Sequence, residues 1–182
     1  MRHLATLILM LLLVTFFAVP QRSARSEGDV RRAEIPEVKV SLAVVERGRQ
    51  STGSPLHMII ENVSKQPQSH FDEWNSWGYG NVTLDWTDAQ GHTGTVTKVP
   101  GAWTRNGPTT TILQPGEALV REVSFDPKLW QGWPAITNFT TLTLKAGYRS
   151  TGEPQVSNSA AGWTGTVNSK ERTVIVWQPA AR

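Results

Sequence analysis

One short stretch of the chain indicates the fold class, and it reads Leu142-Thr143-Leu144-Lys145-Ala146-Gly147-Tyr148. Larger or apolar residues occupy every second position, and small or polar residues stand between them. This period of two is typical of a strand with one buried face, because successive side chains of a strand point to opposite faces. We therefore expect a β-strand here that directs one of its two faces at a core.

Six further segments show the same alternation. They begin near Val38, Leu56, Val82, Val96, Leu119 and Thr173. No segment after residue 27 shows a sustained apolar period of 3.6 residues, which argues against helices. Seven strands separated by turns rich in Gly and Pro predict an all-β fold, an antiparallel β-sandwich of about seven strands.

Parts of this pattern resemble a known class of domain. Trp86 lies mid-strand in the segment Val82-Thr83-Leu84-Asp85-Trp86 and is similar to the buried Trp on the third strand of immunoglobulin-like sandwiches. Leu113-Gln114-Pro115-Gly116-Glu117 is similar to the Leu-x-Pro-Gly-Glu turn before a late strand in bacterial extracytoplasmic immunoglobulin-like modules, and Leu142–Tyr148 is similar to their penultimate strand. The resemblance covers residues 38–177 at the level of strand order. It implies an immunoglobulin-like sandwich and no particular activity, because this architecture hosts many unrelated functions.

The N-terminal residues predict an export segment. Arg2 and His3 precede an uncharged, mostly apolar run of 16 residues, Leu4–Val19. This run is shorter than the roughly 20 residues of a membrane helix, and small residues follow it at the cleavage positions of Ala24-Arg25-Ser26. We expect a signal peptide over residues 1–26 that is cleaved before Glu27, with an uncleaved N-terminal anchor as the alternative.

The remaining residues are expected to form one domain. Residues 27–37 are charged and show no period, which is typical of a flexible tether. The β-sandwich domain is expected over residues 38–178, with a C-terminal tail over residues 179–182. No later segment approaches spanning length, so we expect a secreted or periplasmic protein without a membrane span after cleavage.

The positive net charge of the chain belongs to the export segment. The sequence has 18 Lys and Arg against 15 Asp and Glu. Arg2, Arg22 and Arg25 account for this excess, so the residues from Glu27 onward carry no net charge. The domain therefore lacks the basic field of a nucleic-acid-binding protein. The chain has no Cys, which excludes disulfides, thiolate catalysis and Cys-ligated zinc.

Tryptophan is the most informative residue type for function. Six of the eight Trp residues fall between the predicted strands: Trp74, Trp77, Trp103, Trp130, Trp133 and Trp163. Aromatic loops on a rigid sandwich are suited to recognition, because Trp and Tyr combine a flat apolar face with a polar group. Neighbouring carboxylates can accept hydrogen bonds from ligand hydroxyl groups. We predict a ligand site formed by Trp74, Trp77, Tyr79, Trp103, Trp163, Asp72 and Glu73. The alternative is that these aromatic rings fill a satellite core beneath the loops.

The sequence does not predict catalysis. His57 lies on the polar side of a predicted strand, while His70 and His92 lie in predicted turns, and their spacing matches no metal motif. Nucleophile elbows and phosphate-binding loops are missing from the sequence. We therefore predict no enzyme activity, no cofactor and no metal.

Together these features predict an exported, non-catalytic binding module whose ligand is a protein or a glycan. A structural or accessory protein of the cell envelope without a small ligand is the alternative. Two less supported functions are an exported hydrolase that uses acidic loop residues and a proteinase inhibitor. The inhibitor is an analogy with sandwiches that have a similar Leu-x-Pro-Gly-Glu turn.

Overall fold

A computed structural model describes residues 37–44, 48–103, 107–137, 139–151 and 162–179. Within these ranges the chain is all-β and contains no helix, which confirms the predicted all-β class. None of the described residues forms a helix long and apolar enough to cross a membrane. The predicted signal peptide over residues 1–26 lies outside the described residues, as do residues 27–36 of the tether and residues 180–182 of the tail.

The described residues form twelve strands. They are β1 (Val38–Ala43), β2 (Arg49–Ser51), β3 (Leu56–Asn62), β4 (Gln68–Phe71), β5 (Val82–Asp88), β6 (Thr93–Lys98), β7 (Thr110–Leu113), β8 (Ala118–Val123), β9 (Trp130–Gln131), β10 (Phe139–Ser150), β11 (Gly165–Asn168) and β12 (Arg172–Trp177).

The strands form three sheets. A three-stranded sheet has the order β1-β3-β8, and a larger one has the order β2-β12-β10-β5-β6-β9 with β11 paired to β10. The short strands β4 and β7 pair with each other. Every pairing is antiparallel except that of β2 with β12. This arrangement is consistent with a β-sandwich, because apolar residues of the two larger sheets share one core.

The stretch Leu142–Tyr148 lies at the centre of this core. It belongs to β10, which pairs with β5 on one side and with β12 and β11 on the other. Its alternate residues Leu142, Leu144, Ala146 and Tyr148 are all buried. Each large apolar side chain buried in this way contributes roughly 1.5–3 kcal/mol relative to an exposed position. The predicted strand and its inward face are confirmed.

All seven predicted strands are present, and five short strands accompany them. These are β2, β4, β7, β9 and β11, none longer than four residues. The connection between the predicted strands near Leu56 and Val82 therefore contains β4, and Trp130, predicted to lie between strands, lies on β9. Strands of two to four residues are too short to show a period of two, which explains why the prediction missed them.

The Leu-x-Pro-Gly-Glu segment forms the predicted turn. Gly116 has φ of 83°, a value that suits glycine after a proline in a β-turn. The N–H of Glu117 donates to the Gln114 carbonyl (2.9 Å), and the Glu117 carboxylate accepts from the N–H of Gln114 (2.7 Å). Leu113 is buried just before the turn, and β8 begins just after it.

Trp86 also lies on a strand, as predicted, although it is only partly buried against the core. Its indole Nε1 donates to the Gly132 carbonyl at 2.8 Å. Gly94 is paired with Trp86 across β5 and β6, and a Cβ on Gly94 would lie 2.6 Å from the indole ring. The Trp86 ring therefore covers the space that a side chain at position 94 would occupy.

Candidate functional site

Asn75 organises the segment that connects β4 to β5. Its buried side chain donates from Nδ2 to the Thr109 carbonyl at 3.0 Å. Its Oδ1 accepts from the N–H groups of Trp77 and Gly78, both at 3.0 Å, and its own carbonyl accepts from Tyr79 at 2.9 Å. One buried amide thus satisfies several backbone groups of an irregular segment, which would otherwise be costly to bury.

Asp72 ties the start of this segment to β7. Its carboxylate accepts hydrogen bonds from the hydroxyls of Thr109 and Thr111. Its N–H donates to the Thr109 carbonyl at 3.0 Å. The predicted ligand-binding carboxylate is therefore also a structural acceptor.

Glu73 joins two sheets through its charge. One carboxylate oxygen forms an ion pair with Lys98 at the end of β6, and the other lies 3.7 Å from Nε of Arg121 on β8. Only 15% of each cationic side chain is exposed. Arg121 also donates from Nη2 to the Phe71 carbonyl at 3.4 Å. Partial burial of these charges reduces screening by solvent, so the three side chains hold one another in place.

Aromatic rings surround this ion cluster. The Lys98 ammonium lies 4.5 Å from the ring centroid of Tyr79 and 5.5 Å from that of Trp130, within the range of cation–π attraction. Tyr79 meets Trp103 edge to face, with centroids 5.2 Å apart, and its hydroxyl donates to the Val99 carbonyl at 2.8 Å. Both ends of the Tyr79 side chain are therefore fixed.

These side chains line one open cavity of about 580 Å³, which we call the aromatic cavity. Its lining residues are Asp72, Glu73, Trp74, Tyr79, Lys98, Trp103 and Arg121. Trp74 is 63% exposed and Trp103 is 41% exposed. A second cavity of about 490 Å³ shares Glu73, Tyr79 and Lys98 with it. Two exposed apolar residues, Val120 and Leu129, line that second cavity.

Five of the seven predicted site residues line the aromatic cavity. Trp77 is half-buried in the same segment and is not part of the lining. Trp163 lies elsewhere, stacked on Tyr148 with ring centroids 5.6 Å apart. Its position matches the alternative in which a loop Trp packs against the core.

The sequence prediction did not include Lys98 and Arg121. Arg121 interrupts the apolar parity of β8 between Leu119 and Val123, and a charged residue at an inward position is a sign of a partner or a site. Lys98 gives no comparable sign in the sequence. It reaches the cavity because β6 ends there.

The predicted turn at His70 is wrong, because His70 lies on β4 and is buried. Its Nδ1 shares a hydrogen bond with the Tyr148 hydroxyl (3.2 Å), and its ring stacks on Trp163. Its Nε2 has no hydrogen-bond partner among the described residues. Burial, with a further contribution from the charge of Arg121, lowers the pKa of His70 to about 4. The imidazole is therefore neutral at physiological pH.

The aromatic cavity offers binding groups of two kinds. Exposed indole faces can stack on flat apolar surfaces, and the charged groups can exchange hydrogen bonds with hydroxyls. Within the described ranges no three His, Asp or Glu side chains are placed to hold a metal ion.

Comparison of the chain with protein-family models, curated proteins and solved structures gave no match.

Proposed function

We propose that the protein is an exported, non-catalytic module of the immunoglobulin-like sandwich type that binds a glycan through the aromatic cavity. The observation that carries this proposal is the exposure of Trp74 and Trp103 beside the Glu73–Lys98–Arg121 ion cluster. The immunoglobulin-like type is supported by the Leu113–Glu117 turn and by the place of Trp86 on a strand. Export is supported by the apolar run Leu4–Val19.

A glycan suits the chemistry of this cavity. The face of an indole ring is electron-rich and attracts the C–H hydrogens of a sugar ring. Ligand hydroxyls can then exchange hydrogen bonds with the carboxylate of Glu73 and the cations of Lys98 and Arg121. Hydrogen bonds to charged partners are stronger than those between neutral groups. The ion cluster is also already assembled, so binding costs little reorganisation.

The test is a glycan array with the full-length protein, followed by titration of the bound oligosaccharide. We expect Trp74→Ala and Trp103→Ala each to weaken binding by about tenfold or more, as for a central aromatic contact worth at least ~1.4 kcal/mol. Trp77→Ala is the control within the same segment. Phe139→Ala removes an equally exposed aromatic residue, since Phe139 is 71% exposed and does not line the cavity. Both controls should bind normally.

Two outcomes would contradict the proposal. One is an array without a bound glycan. The other is a bound glycan whose affinity is unchanged in both Trp74→Ala and Trp103→Ala.

A protein ligand is the second candidate, because Val120 and Leu129 expose apolar surface in the adjoining cavity. Exposed apolar surface at the rim of a site is typical of protein partners. If a protein ligand covers both cavities, Leu129→Ser and Trp74→Ala should each weaken its binding. An oligosaccharide confined to the aromatic cavity would lose affinity only with Trp74→Ala.

A further inference from the structure

His70 is a buried titratable group that the aromatic cavity does not use. It lies on β4, is 1% exposed and is not among the residues that line the cavity. Its ring contacts Tyr148 of β10 and Trp163, which precedes β11. Its Nδ1 shares a hydrogen bond with the Tyr148 hydroxyl at 3.2 Å. The ring is therefore enclosed by side chains from two other parts of the fold.

A positive charge on His70 would have no compensating group around it. The imidazolium carries a proton on each nitrogen, and Nε2 has no hydrogen-bond partner among the described residues. Tyr148 is uncharged, because burial raises the pKa of its hydroxyl, and the charge of Arg121 on β8 repels a second cation. Asp72 and Glu73 follow β4, but their carboxylates bind threonine hydroxyls and other cations. The described residues include no ion pair of His70, so the ring fits its site only when it is neutral.

The strand that carries His70 belongs to the smallest sheet of the fold. β4 and β7 have four residues each and pair with each other, and we call them the β4–β7 pair. Its hydrogen bonds to other segments include those from the Trp163 N–H to the Ser69 carbonyl (2.6 Å) and from Asn62 Nδ2 to the Leu113 carbonyl (2.9 Å). By contrast, β10 is paired on both sides. Short elements with few hydrogen bonds open locally at a lower free energy than central strands, so release of the β4–β7 pair is the least costly way to expose His70.

β4 leads directly into the aromatic cavity. Asp72, Glu73 and Trp74 follow its last residue and line that cavity. The Asp72 carboxylate also joins the end of β4 to β7 through the hydroxyls of Thr109 and Thr111. Release of the β4–β7 pair would therefore separate these three lining residues from the cations on the other side of the cavity.

We propose that the β4–β7 pair is a pH-sensitive switch that controls the aromatic cavity. Acidification protonates His70, the charged ring leaves its buried site, and the β4–β7 pair is released with it. The lining residues that follow β4 then lose their positions, and a bound ligand can leave. The effect on a ligand rests on the function proposed above, whereas the opening of the switch does not.

The direction and the pH window follow from the chemistry of His70. Its pKa is about 4 in the folded protein against an ordinary value of 6.5. An open form with an exposed ring therefore binds the proton more tightly than the closed form does. Opening becomes more favourable as the pH falls from 6.5 towards 4, and between pH 7 and pH 5 its equilibrium constant should rise about twentyfold.

Amide hydrogen exchange of the full-length protein tests the switch without a ligand. The reporters are the N–H of Asp72, bonded to a carbonyl next to β7, and the N–H of Trp163, bonded to a carbonyl of β4. After correction for the intrinsic exchange rate, both protection factors should fall about twentyfold between pH 7 and pH 5. The N–H of Ser169, bonded to a carbonyl of β10, is the reference for the core and should be more strongly protected at both pH values.

Variants separate the switch from a general effect of acid. His70→Gln keeps a polar side chain that does not take up a proton in this range, so protection at Asp72 and Trp163 should not depend on pH in this variant. His57→Gln removes a histidine whose side chain is 43% exposed and should behave as the wild type does. A glycan bound in the cavity should dissociate faster at pH 5 than at pH 7 from the wild type and not from His70→Gln. An array without a bound glycan would contradict the proposed function and not the switch, because the exchange reporters need no ligand.

Four results would overturn the inference. Protection at Asp72 and Trp163 that does not change with pH in the wild type would show that His70 does not control the β4–β7 pair. The same pH dependence in His70→Gln would assign the effect to another group. Equal protection of Asp72 and Ser169 at pH 5 would show that the pair opens only when the whole domain unfolds. If His70→Gln does not fold, NMR titration of the His70 ring in the wild type replaces it, and a ring already protonated at pH 6 would equally exclude the switch.

Discussion

His70 shows how much a single buried residue can couple stability to pH. The residue is 1% exposed, and its ring contacts both Tyr148 and Trp163. The pKa of His70 is lowered to about 4 by burial and by the charge of Arg121. Between pH 6.5 and pH 4 the unfolded chain therefore binds a proton at this residue that the folded chain does not. The folded state loses stability as the pH falls through this window.

We predict that His70→Gln removes this pH dependence. Relative to the variant, the wild type should lose about 1–2 kcal/mol of unfolding free energy between pH 7.5 and pH 5, because each unit of pKa difference corresponds to ~1.4 kcal/mol. Urea unfolding at several pH values measures the difference. His57→Gln is the control for loss of a histidine, since His57 is 43% exposed, and it should follow the wild type. If the unfolding free energies of the wild type and of His70→Gln depend on pH in the same way, the prediction is wrong.

Residue type explains which lining residues of the aromatic cavity can be predicted from the sequence. Trp74, Trp103 and Tyr79 could be predicted because a large aromatic residue in a loop is expected either to bind a ligand or to fill a satellite core. Trp163 belongs to the same class, yet it packs on Tyr148. Exposure depends on the neighbours that tertiary structure provides, so residue type alone does not separate Trp163 from Trp74. Lys98 joins the cavity through strand pairing over a long sequence distance, which a local pattern does not contain.

At the scale of elements, the connection from β4 to β5 is a tightly packed segment rather than an open loop. Asn75 is fully buried in it, and the backbone packs tightly at Gly78. A Cβ on Gly78 would overlap the carbonyl oxygen of Asp72. Real Cβ atoms do not approach this closely, and a backbone oxygen cannot move away without disturbing the turn.

We predict that Gly78→Ala destabilises the protein by about 2 kcal/mol or more, as steric overpacking typically does. It should also weaken the binding of any ligand to the aromatic cavity, because Trp74 and Tyr79 belong to the same segment as this glycine. Gly80→Ala is the matched control, since its added Cβ would meet nothing within 4 Å. Urea unfolding followed by Trp fluorescence compares the two variants. Equal stability of Gly78→Ala and Gly80→Ala would show that the segment is open.

Element length explains which strands the sequence predicts. The seven predicted strands, β1, β3, β5, β6, β8, β10 and β12, each have at least six residues, enough for three inward positions. The pair β4 and β7 has four residues per strand, and its position depends on Asp72 contacts with Thr109 and Thr111. Such pairing is decided by tertiary hydrogen bonds, so the local pattern does not reveal it.

At the scale of the whole molecule, the excess of positive charge is confined to the N-terminal residues. The net charge of +3 equals the contribution of Arg2, Arg22 and Arg25. The residues from Glu27 onward are neutral overall, and the described cations act locally, as Lys98 and Arg121 do around Glu73. We therefore expect any recognition by these residues to depend on exposed aromatic rings rather than on a long-range field.

The location of the excess positive charge in residues 1–26 leads to a prediction about export. If residues 1–26 are a signal peptide, the protein recovered from a bacterial periplasm should have the intact mass of residues 27–182. Its net charge should then be near zero, and it should focus at a lower pH than the full chain. Ala24→Leu places a bulky residue at a position of the cleavage site that requires a small one, so this variant should accumulate uncleaved. Lys145→Leu, far from that site in the sequence, is the control and should be processed normally. A full-length mass for the wild-type protein in the membrane fraction would show instead that Leu4–Val19 is retained as an anchor.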